Sequence, residues 1–349
     1  MAIRQTADIR KFLLENISSA DLVKTTVERF NVSRTAVYQN IKKLVADGYV
    51  KYDDVKKGRK YSLVSKEYDY LYDISGSLSE SNVWLQDIEP HIRGKENVMR
   101  IWEYGFTEMF NNAVDHSEGS QIFVKIFTNS VNTSMYISDN GIGIFRKIKN
   151  KFNLLNEREA ILELSKGKLT TNTERHSGEG IFFTSRAFDK FAIASHDIVF
   201  THNDEVEHDV LFDNAPGNFD GTVIFMSLRN ESERILKDVF DRFSGDDYGF
   251  DKTIIPIELA RYGDDNLISR SQAKRVLTRI KLFKSVIFDF KNVPQIGQAF
   301  ADEIFRVFVN ANPNIELDYV NANQDVENMI KRARHSNIDT DWQAHEQIS

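Results

Sequence analysis

The sequence predicts an α+β protein built from several domains around more than one core. Three observations carry this expectation. The chain has 349 residues, more than a single domain of roughly 100 to 200 residues holds. Its first 48 residues show only helical periodicity, whereas strands and helices are interleaved from residue 98 onward. The last third alternates helix and strand, the mark of an α/β layer.

Composition narrows the function classes. With 41% hydrophobic and 28% charged residues, the chain can bury a core, and wholesale disorder is not expected. No apolar run approaches the length of about 18 residues that a membrane helix needs, and no leader pattern opens the chain, so a cytoplasmic protein with no membrane partner is expected. Zero cysteines exclude disulfides, a thiol nucleophile and thiolate metal sites. Net charge is -7 but unevenly spread: residues 1–65 carry 13 Lys and Arg against 7 Asp and Glu, or +6, leaving -13 on the rest. A basic module on an acidic body suits a polyanionic partner.

In that module Ile9, Phe12 and Leu13, then Leu22, Val23 and Val27, then Val37, Ile41 and Leu44 recur at helical spacing. The spacing predicts three helices, with Ser33 capping the third and Gly48 closing it. Residues 49–52 and 61–64 alternate as two strands around a Lys- and Arg-rich tip at residues 56–60. This order resembles the winged helix-turn-helix domains that bind duplex DNA, with residues 34–45 as recognition helix. The resemblance implies that Arg34, Thr35, Tyr38, Gln39 and Lys42 face the major groove, and that Lys57, Arg59 and Lys60 of the wing reach backbone phosphates.

Residues 66–97, acidic and aromatic, read as a linker, and His91 as an ordinary surface histidine. A helical apolar face then starts at Val98, and on that helix Glu108 and Asn112 stand one turn apart. Strands at residues 121–128 and 134–138 lead into Asp139-Asn140-Gly141-Ile142-Gly143. Lys166, Lys168 and two threonines precede His176-Ser177-Gly178-Glu179-Gly180, and Gly221-Thr222 opens a last strand. His202 and His208 fall in an alternating hairpin without standard metal-ligand spacing, and no Walker A sequence occurs.

Taken in order, Glu108/Asn112, Asp139-x-Gly141-x-Gly143, Gly178-x-Gly180 and Gly221-Thr222 resemble the four boxes of the GHKL ATPase superfamily of gyrase B, histidine kinases and MutL. The resemblance spans residues 98–230 and implies an α/β sandwich, a mixed sheet with helices on one face. It implies ATP and Mg2+ as cofactors, with Asn112 as metal ligand, Glu108 orienting the attacking water, and Asp139 reading the adenine amino group. Gly141 and Gly143 would admit the nucleotide, Gly178 and Gly180 would set a helix N-terminus under the phosphates, Lys166 and Lys168 would lie in the lid, and Thr222 near the adenine. His116 belongs to the first box with a packing role.

Residues 231–270 read as a connector. Residues 271–334 resemble the STAS fold of anti-sigma-factor antagonists, carried by residues 286–300. Gln298 stands near the position where that family phosphorylates a serine, so a regulatory or packing role is expected. Residues 335–349 read as a disordered polar tail. The expected function is an ATP-controlled, DNA-binding transcription regulator, with a regulatory protein or a second copy of the chain as compatible partners. The alternatives are an anti-sigma-type serine/threonine kinase and a non-catalytic nucleotide-binding scaffold.

Overall fold

The computed structural model describes residues 2–55, 58–76, 78–169, 178–203, 208–212, 220–245, 249–261 and 266–335. Three helices, α1 (Ala2–Glu15), α2 (Leu22–Phe30) and α3 (Arg34–Ala46), precede the antiparallel hairpin β1 (Val50–Val55) and β2 (Gly58–Leu63). The apolar residues read from the sequence form a small separate core of Ile9, Leu13, Leu22, Val37, Ile41, Leu44 and Val50. Ser33 caps α3 by accepting from the Ala36 N–H, and Gly48 closes it at φ +76, a backbone state that favours glycine.

The expected linker is largely structured. β3 (Lys66–Asp73) pairs antiparallel with β4 (Gln121–Thr128), and α4 (Glu80–Val83) continues as a wide turn over Trp84–Ile88. The reason lies in period two: Tyr68, Tyr70 and Tyr72 are half-buried while Glu67, Asp69, Leu71 and Asp73 face outward. His91 is also more than a surface residue, since its ring stacks on Tyr68 with centroids 3.6 Å apart and its Nε2 lies 2.6 Å from the Tyr70 hydroxyl.

β3 forms one edge of a seven-stranded sheet ordered β3-β4-β5-β9-β6-β7-β8, with β5 (Asn132–Asp139), β6 (Lys190–Ser195), β7 (Ile198–Asn203), β8 (His208–Phe212) and β9 (Val223–Arg229). Every pairing in it is antiparallel. His202 and His208 lie on the β7–β8 hairpin, as the alternation predicts. α5 (Glu96–His116) buries Val98, Ile101, Trp102, Phe106, Met109 and Phe110 against the sheet. α6 (Ile144–Phe152), α7 (Glu157–Lys166), α8 (Gly180–Ala187) and α9 (Leu236–Asp241) complete the central unit. On the opposite face of the sheet Leu71, Phe123 and Tyr136 remain exposed.

The C-terminal unit begins earlier than the sequence suggests. β10 (Lys252–Pro256), within the expected connector, pairs in parallel with β11 (Ser285–Asp289), which pairs in parallel with β12 (Glu316–Val320). The two pairing modes are thus segregated between sheets. α10 (Arg270–Leu277), α11 (Gln298–Asp302), α12 (Val309–Ala311) and α13 (Gln324–His335) belong to this unit. Its apolar residues are continuous with the central core: Phe250 lies 4.6 Å from Phe182 and 5.4 Å from Phe283, ring to ring.

An ionic cluster reinforces that junction. Lys166, fully buried, donates to Glu163 at 2.6 Å and to the carbonyls of Arg275 and Thr278 at 3.1 and 2.9 Å. Arg279 reaches the Glu163 carboxylate at 2.9 Å and the carbonyls of Gly167 and Lys168. Burial holds the Lys166 ammonium below the usual lysine range, against the pull of Glu163. Glu163→Ala would strand the buried Lys166 ammonium and take the carboxylate from part-buried Arg279, and should cost about 3–5 kcal/mol, the usual price of an orphaned buried charge. Lys166→Met leaves Glu163 paired with Arg279 and should cost less; urea unfolding that ranks the two variants the other way refutes this account.

Candidate functional site

A cavity of about 220 Å³ lies where α5, α6 and α8 meet the ends of β5 and β9. It gathers residues distant in sequence: Glu108, Asn112 and His116 from α5; Asp139 and Gly143 after β5; Ile144 and Lys147 from α6; Leu169, Gly178 and Gly180; and Thr222. Helical phase explains the first group, because residues four apart share a face. Asn112 is half-buried and lines this cavity.

The floor is a set of crossed turns. Asp139 Oδ1 accepts from the N–H groups of Gly141 and Thr222 at 2.9 and 3.3 Å, and the Thr222 hydroxyl accepts from Ile144 N–H at 3.0 Å. Ile142 N–H binds the Ser117 carbonyl at 2.9 Å, tying the same turn to the end of α5. Burial pushes the Asp139 carboxyl above its ordinary range, opposed in part by these hydrogen bonds. Tyr104 lies beside this region, its phenol pushed up by burial first and then by Glu108 and Glu179.

The glycines serve packing as much as access. A Cβ on Gly141 would strike the Ser117 carbonyl, one on Gly180 the Glu108 carboxylate, and one on Gly221, at φ +87, the Asp139 carbonyl. Gly143, Gly178 and Gly180 line the cavity wall, and Gly141 lies behind it against Ser117.

The two expected lid lysines face elsewhere. Lys166 is consumed by Glu163 and the carbonyls at the end of α10, and Lys168 donates to the Leu282 carbonyl at 2.9 Å and sits over the Phe283 ring. Neither lines the cavity, because the end of α7 is covered by the C-terminal unit. Residues 170–177, with His176 and Ser177, lie outside the described residues. Lys147 takes their place in the wall, and sequence reasoning missed it: it is one of four cations between residues 146 and 151, and only helical phase singles it out.

On the N-terminal unit, Arg34, Thr35, Tyr38, Gln39 and Lys42 share the exposed face of α3, opposite buried Val37, Ile41 and Leu44. The hairpin is less basic than its tip implies. Arg59 pairs with Asp54 at 3.2 Å and lies over the Tyr52 ring, and Lys60 stands opposite Asp53 in the ladder. Lys57 lies outside the described residues.

Residues 272–327 match a STAS-like domain of unknown function (DUF4325). Among curated proteins the chain has no significant match. No helix among the described residues is long and apolar enough to cross a membrane.

The raised pKa of Asp139 has a thermodynamic consequence. The native state penalises its ionisation, so stability is lost as pH rises from the ordinary carboxylate range through the raised native value. Asp139→Asn keeps an oxygen for Gly141 and Thr222 and removes the charge. Without ligand it should melt at a higher temperature than wild type at neutral pH, with the gain shrinking toward pH 4; an unchanged or lower melting point at neutral pH counts against the assignment.

Proposed function

We propose that the chain is an ATP-binding, DNA-binding transcription regulator in which occupancy of the central cavity sets the disposition of the N-terminal unit. The observation that carries this reading is the convergence of Glu108, Asn112, Asp139, Gly180 and Thr222, from four separated segments, on one cavity. The donors are oxygens, and Asn112 offers a neutral one beside Glu108, a set that suits Mg2+ shared with phosphates. Asn112 would hold that ion, and Asp139 would accept from an adenine amino group. When bound, Mg2+ neutralises phosphate charge. Glu108 would orient a water toward the terminal phosphate.

A physical link between cavity and DNA-binding face supports the regulatory part. β9 follows directly on Thr222, in the cavity wall, and leads to Glu231, which pairs with Lys11 of α1 at 2.7 Å. Only Val64 and Ser65 separate the hairpin from β3, an edge strand of the same sheet. An exposed pair such as Lys11–Glu231 is worth under about 1 kcal/mol, so ligand-scale energies suffice to shift it.

Asn112→Ala should abolish the Mg2+-dependent gain in ATP affinity but spare binding in EDTA, whereas Asp139→Asn should lose both. Glu108→Ala should retain ATP while phosphate release falls about 100-fold or more. Calorimetry and phosphate release on the purified chain read both, and wild-type affinity in both Asn112→Ala and Asp139→Asn rejects the site. Phosphate that appears on a protein instead of in solution would move the reading to a kinase.

For DNA, Lys42→Ala should weaken binding to all duplexes and lower the salt slope by about 1, and Gln39→Ala should relax discrimination between sequences. Arg59→Ala should do less than Lys42→Ala, because Asp54 already neutralises Arg59. Fluorescence anisotropy with random and genomic duplexes at two salt concentrations tests this, and an absence of binding at low salt rejects the DNA reading.

A further inference from the structure

The cavity wall holds two carboxylates, Glu108 and Asp139, and among its described residues a single Lys or Arg, Lys147. A polyphosphate entering such a site meets like charge unless a cation receives it. The lysines expected in that role, Lys166 and Lys168, are turned to the C-terminal unit. Lys147 sits at the fourth position of α6, one turn after Gly143, and its neighbours on the same face, Ile144 and Ile148, also line the cavity.

Its ammonium is held rather than dangling. Nζ donates to the His116 carbonyl at 2.7 Å and to the Glu118 carboxylate at 2.9 Å, and the side chain is 21% exposed. One of the two partners is a neutral carbonyl and the other an anionic oxygen, the kind a phosphate also offers. Glu118 is unusual in turn: a non-glycine residue at φ +60, beside Gly119, with its side chain 59% exposed. A left-handed glutamate placed against Lys147 in a wall that also holds Glu108 and Asp139 breaks a local backbone rule, as functional sites do.

Resting on the nucleotide reading above, we propose that Lys147 is the cation that receives the nucleotide's phosphates, and that Glu118 occupies it as a stand-in carboxylate which the phosphates displace. The ammonium exchanges one anionic oxygen for another while the His116 carbonyl keeps it in place. Glu118 thereby tunes affinity downward, and the two residues act with opposite sign. A lysine that merely capped the end of α5 would have no such partner dependence.

The test is equilibrium binding of ADP and of adenosine to the full chain in EDTA, which leaves the metal and Asn112 out of the comparison. Lys147→Met should weaken ADP about 10- to 100-fold, the range of a charge-assisted hydrogen bond, and leave adenosine unchanged. Glu118→Gln should tighten ADP about two- to five-fold, the worth of a part-exposed ion pair. In the Lys147→Met background Glu118→Gln should do nothing, because the pair acts as a unit. Equal weakening of ADP and adenosine by Lys147→Met, or a Glu118 effect that survives without Lys147, overturns the proposal and leaves the nucleotide reading standing. If wild type binds neither compound, both fall together.

Discussion

The buried cluster of Glu163, Lys166 and Arg279 is the constraint on which the arrangement of the central and C-terminal units depends. It sits at the end of α7, where Lys166 donates to the Arg275 and Thr278 carbonyls at the end of α10 and Arg279 gathers those of Gly167 and Lys168. Thr253 of β10 closes the set by donating to the Lys166 carbonyl at 2.8 Å. Desolvating three charged groups is expensive, so the cluster is tolerated only because every member is paired. Its cost makes it specific: a shifted C-terminal unit would leave buried charge behind.

This junction reaches the cavity. Leu164 and Leu169 flank the cluster in sequence and line the cavity wall, and Leu169 N–H binds the Gly178 carbonyl at 3.1 Å. The C-terminal unit therefore supports one wall of a cavity to which it contributes no lining side chain among the described residues. The N-terminal unit is attached differently, with its own core and exposed pairs such as Lys11–Glu231. One unit is fused to the body through shared apolar and ionic packing, while the other is joined through a short connection and surface charge.

The cavity is a compromise between packing and charge. Glycines at residues 141, 180 and 221 let turns approach so closely that no side chain fits between them. That closeness buries Asp139 and makes its ionisation costly. Lys147, held by His116 and Glu118, is the counterweight to Glu108 and Asp139 in the wall.

Local pattern by itself determined the three N-terminal helices, the capped start of α3, the long apolar face of α5 and the order of the strands around residue 139, because each depends on periodicity or on a turn residue within a few positions. The exposed row from Arg34 to Lys42 was legible for the same reason. Tertiary structure decided the rest. β3 and β10 were hidden because a strand of five to eight residues is defined by partners far away in the chain. The fate of Lys166 and Lys168, the cross-strand neutralisation of Arg59 and the selection of Lys147 from a run of cations all turn on which oxygen lies within about 3 Å in space. Sequence neighbours carry no record of that distance, since a lysine beside a glycine-rich segment looks the same whether it faces a ligand or the carbonyls of another unit.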